Sequence, residues 1–474
     1  MKFIKTVCLI LCAVLLICPV GNVAAAENGG DTCRGVDAEY ALVDPGKLLD
    51  TSKAVVLYER GTGTLIYSYN IDELLPPSSM VKLMTALVAL EHGVLTDTVT
   101  VTSTALNSVS VGAVSAGLVR GEEISLLDLL YCMMVASAND AAAVIAEYVG
   151  GSQSAFVAMM NEKAAALGCT GTVFADATGL DDTGNQMSTR DILRILDAGL
   201  DNETFRVMFE AESYTVPATN KSEERYIVTT NRMMSKENKY FDDRVTGGKT
   251  GSTSKAGRCL AITANVGDME LIGIVMGAKA TYASDTVLAT NGSFEEMHVL
   301  LDYAGANFEC RQLFYEGQVI TQYPVTNGSS NVAVTVVDEV YCVLPKEVTA
   351  AQILWDYDAS AAVYAPVSEG QTITGFGVWY ETEAGRVCLA RTELVAMTDV
   401  GVYEAYQIPH STIQKQEEQQ HGQVLATILG ILLGIVVAAF AVIVLMRVIQ
   451  TALIKARIRR RRKNRRRNRN ARME

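Results

Sequence analysis

Histidine is scarce in this chain, with four in 474 residues, and there is no Cys-x-x-Cys pair and no His-Glu-x-x-His run. A His/Cys metal site and a histidine-based catalytic triad both lack material, so no metal and no cofactor is expected. Cysteine builds no framework either. Beyond residue 26 there are seven, Cys33, Cys132, Cys169, Cys259, Cys310, Cys342 and Cys388, an odd number and widely scattered. Buried free thiols are the simpler expectation. Internal repeats are absent.

Positive charge is scarce through most of the chain and crowded at one end. The formal net charge is −13. Removing two N-terminal lysines, and the thirteen bases and one acid after Met446, leaves 25 bases against 52 acids, a net −27 for residues 27–446. So acidic a body argues against a nucleic-acid partner. The N-terminus, "MKFIKTVCLILCAVLLICPVGNVAAAENGG", has two lysines, an apolar run and Ala24-Ala25-Ala26, the layout of a secretory signal cleaved after small residues. Val424 to Met446 is 23 residues without a charge. At about 1.5 Å per residue it reaches roughly 35 Å as a helix, enough to cross a bilayer. The arginine-rich residues after it, including "RRRRKNRRRNR", read as a stop-transfer signal beside anionic lipid, with the body exported and the tail in the cytoplasm.

Between these ends the hydrophobic pattern changes twice. "SKAVVLYERGTGTLIYSYN" reads as two strands about a turn, and "MVKLMTALVALEHG" as an apolar helix ending at Gly93. "EISLLDLLYCMMVASANDAAAVIAEYVGG" reads as two helices interrupted at Ser137-Ala138-Asn139, with Asn139 or Asp140 capping the second. "STRDILRILDAGL" is another capped helix, and "RCLAITANVGDMELIGIVMGA" a strand, turn and strand. Strands bracketing a helical middle imply an α+β fold, an antiparallel sheet with a helical insert. After about Phe308 short alternating runs separated by turn residues suggest a small all-β domain. The expected organisation is a signal at 1–26, the main α+β domain at 27–308, a β-sandwich at 309–398, a linker at 399–423, a membrane helix at 424–446 and a basic tail at 447–474.

Two chemical readings compete for "VTGGKTGSTSKAG". A phosphate-binding Gly-x-x-x-x-Gly-Lys-Thr loop needs glycine at position 243, where Asp243 stands. The chain continues as a strand, not as a helix whose N-terminus could hold the anion. The other reading takes Lys249-Thr250-Gly251 as the substrate-side strand of a serine acyl-transfer enzyme, and its partners are present in order. "PSSMVKLMT" carries Ser79-x-x-Lys82, whose i, i+3 spacing at a helix start brings hydroxyl and amine to one face. Serine needs a nearby base, and lysine becomes one when burial or a second cation lowers its pKa. Lys249 could be that cation. Ser137-x-Asn139 lies between, able to relay a proton and orient an amide. The trio of motifs is the one described for class A β-lactamases and penicillin-binding proteins.

On these motifs the chain resembles the low-molecular-mass penicillin-binding proteins that are serine D-alanyl-D-alanine carboxypeptidases, peptidase family S11. "PPSSMVKLMTALVALE", "VASANDAAAVIAEYVGG", "TVFADATGLDDTGNQMSTRD" and "GGKTGSTSKAGRCL" carry the match, over about Ser52 to Leu300 and more loosely the β region. The resemblance implies a β-lactamase/transpeptidase-like fold. It makes Ser79 the acylated nucleophile, Lys82 its general base and Ser137 the proton relay, while Asn139 holds the peptide side. Lys249 and Thr250 face the substrate carboxylate, Gly251 and Ser252 continue the binding strand, and the amides of Ser79 and Ser252 form the oxyanion hole. The implied substrate is the peptidoglycan stem ending in D-Ala-D-Ala, with β-lactams as covalent inhibitors and the membrane as a further partner. Two positions depart from the family. Asp176 stands where asparagine is usual, and no arginine follows Met276-Gly277, where only Lys279 is available. Two rival readings are a β-lactamase and a catalytically weak penicillin sensor or scaffold. The class A enzyme needs a deacylating Glu-x-x-Leu-Asn, and none occurs between Asn139 and Lys249; the intact trio argues against the sensor.

Overall fold

Two runs of β-branched and aromatic residues on either side of Arg60–Gly63 pair as a hairpin. They are β1 (Ala54–Glu59) and β2 (Thr64–Tyr69), antiparallel to one another. This computed structural model describes residues 38, 41–43, 46–181, 184–282, 288–382, 385–404 and 410–470. The signal expected at 1–26 and Cys33 lie outside the described residues.

Helix α1 (Val81–His92) follows the double proline, its first nine residues all buried. A helix apolar on every side belongs in a core, and α1 is surrounded there by α2 (Leu126–Met134), α3 (Asn139–Gly150) and α4 (Thr189–Leu200). Ser125 and Ser188 cap α2 and α4 by accepting from the amides three residues on. Helix α3 departs from expectation. Its N-cap is Ala138, without a side-chain bond, and Asn139 and Asp140 lie within the first turn. Their side chains are drawn off elsewhere, Asn139 to Lys82 and Asp140 to the loop at 115–118.

The sheet is completed by β3 (Val245–Thr253), β4 (Gly257–Val266) and β5 (Met269–Ala278). Its order is β2-β1-β5-β4-β3 with every neighbour antiparallel. The Lys-Thr-Gly run is thus on an edge strand, whose outer side has no sheet neighbour. Helix α5 (Gly292–Asn307) packs against β4 and β5, and α4 against β1 and β5.

Strands then dominate 308–396. β6 (Phe308–Phe314) pairs with Val340–Pro345, and a five-stranded sheet is built from Thr321–Tyr323, Val332–Val336, Ile353–Tyr357, Thr372–Thr382 and Gly385–Ala396. Cys388, within the last of these strands, is disulfide-bonded, which departs from the free-thiol expectation. Cys132, Cys169 and Cys259 are free thiols, and burial pushes them up to about 12, about 12 and about 11. They therefore stay protonated and unreactive.

The chain divides into two compact units. The larger holds residues to Tyr323 with Ala333–Ala361 and Ser368–Thr398, the smaller Pro324–Val332, Ala362–Val367 and Asp399–Glu474. The smaller contains the parallel pair Val325–Thr326 with Val363–Tyr364 and a single helix, His410–Asn470. The polar stretch read as linker is therefore helical from His410 onward. Gly422–Ala452 of this helix contains an 18-residue stretch of mean hydropathy 3.2, none of it buried, so the segment is long and apolar enough to cross a membrane.

Candidate active site

The chain leaves Pro76-Pro77 into a single 3-10 turn, Ser78–Met80, before α1 begins. Ser78 takes φ +52°, and Ser137, between α2 and α3, takes φ +61°. Left-handed backbone in a residue other than glycine costs about 1–3 kcal/mol and tends to mark functional sites. Here both adjoin one residue: Ser78 precedes Ser79 in the chain, and Ser137 Oγ is 3.1 Å from Ser79 Oγ.

Lys82, on the first turn of α1, is wholly buried. Its Nζ is 3.0 Å from Ser79 Oγ, 2.9 Å from Asn139 Oδ1 and 2.7 Å from the carbonyl oxygen of Thr178. A neutral amine here could donate to the two fixed acceptors and offer its lone pair to the Ser79 hydroxyl, the arrangement a general base would need. Burial lowers its pKa to about 7, against the opposing pull of Asp176 and Asp140.

Lys249, on β3, is also wholly buried, and its Nζ donates to Ser137 Oγ at 2.7 Å and to Thr250 O at 3.0 Å. Burial holds its pKa well below the ordinary lysine value, and the charge of Lys82 lowers it further. The sequence left two causes open for a lowered Lys82 pKa, burial or a second cation such as Lys249, and burial is the main cause at both lysines. From Lys249 through Ser137 and Ser79 to Lys82 the hydrogen bonds form one continuous line.

Asn139 is pinned at both ends of its amide, accepting from Lys82 and donating through Nδ2 to Val114 O at 2.9 Å. Asp140 holds the same loop by accepting from Ser115 Oγ and the amides of Ala116 and Leu118. Thr250 Oγ1 is 2.5 Å from Thr230 Oγ1. Gly251 lets β3 close on the Ser78–Met80 turn, since a Cβ there would lie 3.1 Å from Ser78 Cβ. Ser252, exposed at the strand end, accepts from Arg258 Nη1 at 2.6 Å.

Sequence reasoning noted Asp176 only as a departure from the family and missed what its turn does beside the site. Asp176 Oδ1 accepts from the Thr178 and Gly179 amides and from Thr178 Oγ1, while Oδ2 accepts from Asn185 Nδ2 at 2.8 Å. This turn aims the Thr178 carbonyl at Lys82. Gly179 takes φ +84°, and a Cβ there would fall 1.9 Å from Ser78 O. The "Asp-Ala-Thr-Gly" run was the available signal, an Asx-type turn ending in glycine. A backbone carbonyl as lysine partner leaves no side-chain signature.

Similar proteins share this arrangement of elements. The family model for D-alanyl-D-alanine carboxypeptidase matches residues 45–280. The chain is 30% identical over 332 residues to D-alanyl-D-alanine carboxypeptidase DacF of Bacillus subtilis, covering 69% of this chain and 81% of that protein. It is 29% identical over 351 residues to DacA of Escherichia coli, covering 71% and 81%. The solved structure of penicillin binding protein 5 from Haemophilus influenzae superposes with a TM-score of 0.61 at 27% identity, over 76% of this chain and 99% of that one. The chain therefore belongs to the D-alanyl-D-alanine carboxypeptidase family, the serine peptidases of family S11.

Proposed function

We propose that in this serine D-alanyl-D-alanine carboxypeptidase the Ser79 hydroxyl attacks the carbonyl carbon between two terminal D-alanines of a peptidoglycan stem. Lys82 accepts the hydroxyl proton as the bond forms. The oxyanion rests on the amides of Ser79 and Ser252, which supply the electrostatic stabilisation that dominates acyl transfer. Lys82 passes that proton on to Ser137, held by Lys249, as Ser137 gives its own to the departing amine, and the C–N bond breaks to release D-alanine. Lys82, neutral again, then takes a proton from water as the water attacks the ester, and returns it to the Ser79 oxygen as the acyl–oxygen bond breaks. Asn139 orients the peptide side, while Lys249 and Thr250 face the carboxylate end of the bound strand along Gly251 and Ser252.

The single observation carrying this reading is a fully buried lysine whose pKa has fallen to about 7, within 3.0 Å of the serine it would deprotonate. A β-lactam offers a strained amide beside a carboxylate, so it acylates the same hydroxyl. Its leaving amine remains tethered, and hydrolysis is slow.

The reading extends to location. The apolar helix at 424–446 spans the cell membrane once, with the body at 27–398 outside and the basic tail inside, after removal of residues 1–26. Mass spectrometry of pentapeptide muropeptides incubated with the full chain tests the activity. Loss of one D-alanine per stem is expected. Unchanged muropeptides, with penicillin hydrolysed rapidly instead, would contradict it.

A further inference from the structure

Beyond the Lys-Thr-Gly run, the sheet ends in a cavity of ≈ 410 Å³ that begins at Ser252 and is bounded by the β3–β4 hairpin and the end of β5. Lys53, Lys255, Arg258 and Lys279 line it, with no carboxylate among the described lining residues. Lys255 is turned to the neighbouring Asp181, its amide bonding Oδ2 and its Nζ the main-chain oxygen. The other three cations face a site with no acid among its described lining residues.

Arg258 is the organised one. It lies opposite Ser252 in the β3–β4 register. Its Nη1 donates to Ser252 Oγ at 2.6 Å and its Nη2 to Tyr282 Oη at 2.8 Å. Both bonds are to neutral hydroxyls, so the guanidinium charge is not neutralised by them. They fix the plane of a group whose rigid donor fork matches a carboxylate. The position also fits the chemistry. Only two bonds separate the scissile nitrogen of a terminal D-alanine from its carboxylate carbon. An anion must therefore lie close to the oxyanion hole, and Ser252 contributes to that hole in the reading above.

We propose that Arg258, aimed by Ser252 and Tyr282, binds the terminal carboxylate of the substrate, with Lys53 and Lys279 adding positive potential around it. This rests on the catalytic reading and supplies the carboxylate contact that the missing arginine after Met276-Gly277 leaves open. Lys249 is less suited to carry the whole of that role. Burial and Lys82 both work against its charge, whereas a guanidinium stays protonated at any working pH.

The test uses the full chain in detergent with three substrates: a diacyl-L-Lys-D-Ala-D-Ala peptide, its C-terminal carboxamide, and a neutral thioester that acylates Ser79. Arg258→Ala should lower kcat/KM for the free acid by at least ~10-fold, the loss expected for a hydrogen bond to a charged group. The amide and thioester should change little, so the preference for acid over amide collapses. Arg258→Lys should recover part of it. Tyr282→Phe, which keeps the charge but loosens its aim, should give a smaller loss confined to the acid. A folded Arg258→Ala protein that keeps the wild-type preference would overturn the assignment, as would an equal loss on all three substrates, which marks a structural role. Failure of the catalytic reading looks different: wild type would then fail to form the thioester adduct at Ser79, and the Arg258 assignment would fall with it.

Discussion

At Lys82 two opposed effects set the pH of proton loss. Burial disfavours the ammonium, and the carboxylates of Asp176 and Asp140 favour it, leaving a pKa of about 7. As the proposed base, Lys82 must be neutral to act, and its neutral fraction grows as pH rises through that value. Acylation by labelled penicillin should therefore climb through about pH 7 and level off above it. Asp176→Asn removes one of the charges that favour the ammonium and keeps an oxygen for the Thr178 and Gly179 amides. Its profile should shift to lower pH, and a shift to higher pH would contradict the sign. Lys82→Ala should slow acylation by at least the ~10² typical of losing a general base. The same residue shows the reach of sequence reasoning. Ser79-x-x-Lys82 predicts the pair directly, because a helix fixes i, i+3 neighbours. The Thr178 carbonyl opposite is main chain, brought up by the turn at 176–179, and no residue type announces it.

At the scale of elements, the site is the meeting of three chain segments: the 3-10 turn before α1, the break between α2 and α3, and the edge strand β3. All three were legible as motifs, and the strand–helix–strand order as periodicity. The local backbone was not. Ser78 and Ser137 adopt left-handed conformations that their residue type disfavours, imposed by the packing around them. Asn139 looked like a helix cap and is a lysine acceptor, because a buried amine with few other partners claims its oxygen. The turn at Gly179 gives a sharp test. Gly179→Ala adds a Cβ that falls 1.9 Å from Ser78 O at a φ of +84°. It should cost about 1–3 kcal/mol in strain and displace both the nucleophile turn and the Thr178 carbonyl. Denaturation should show the lost stability, and penicillin acylation should fall with it. Wild-type values for both would mean that the turn and the nucleophile are independent.

For the molecule as a whole, the proposed orientation rests on the apolar helix and its basic end. Gly422–Ala452 exposes its apolar side chains along its length, an arrangement suited to lipid and costly in water. Protease added to intact cells should remove the body and spare an epitope placed on the arginine-rich tail; digestion of that epitope would reverse the proposed orientation. The cysteine expectation, by contrast, required pairing information that spacing alone cannot carry, and Cys388 departed from it. The central claim is that one hydroxyl, activated by one buried lysine, carries both the peptidase reaction and the penicillin adduct. Its most direct test is peptide mapping of the full chain after exposure to labelled penicillin, for wild type and Ser79→Ala, alongside D-alanine release. The account predicts a single adduct on Ser79 in wild type, and neither adduct nor D-alanine from a folded Ser79→Ala protein. A covalent adduct that persists in Ser79→Ala would contradict it.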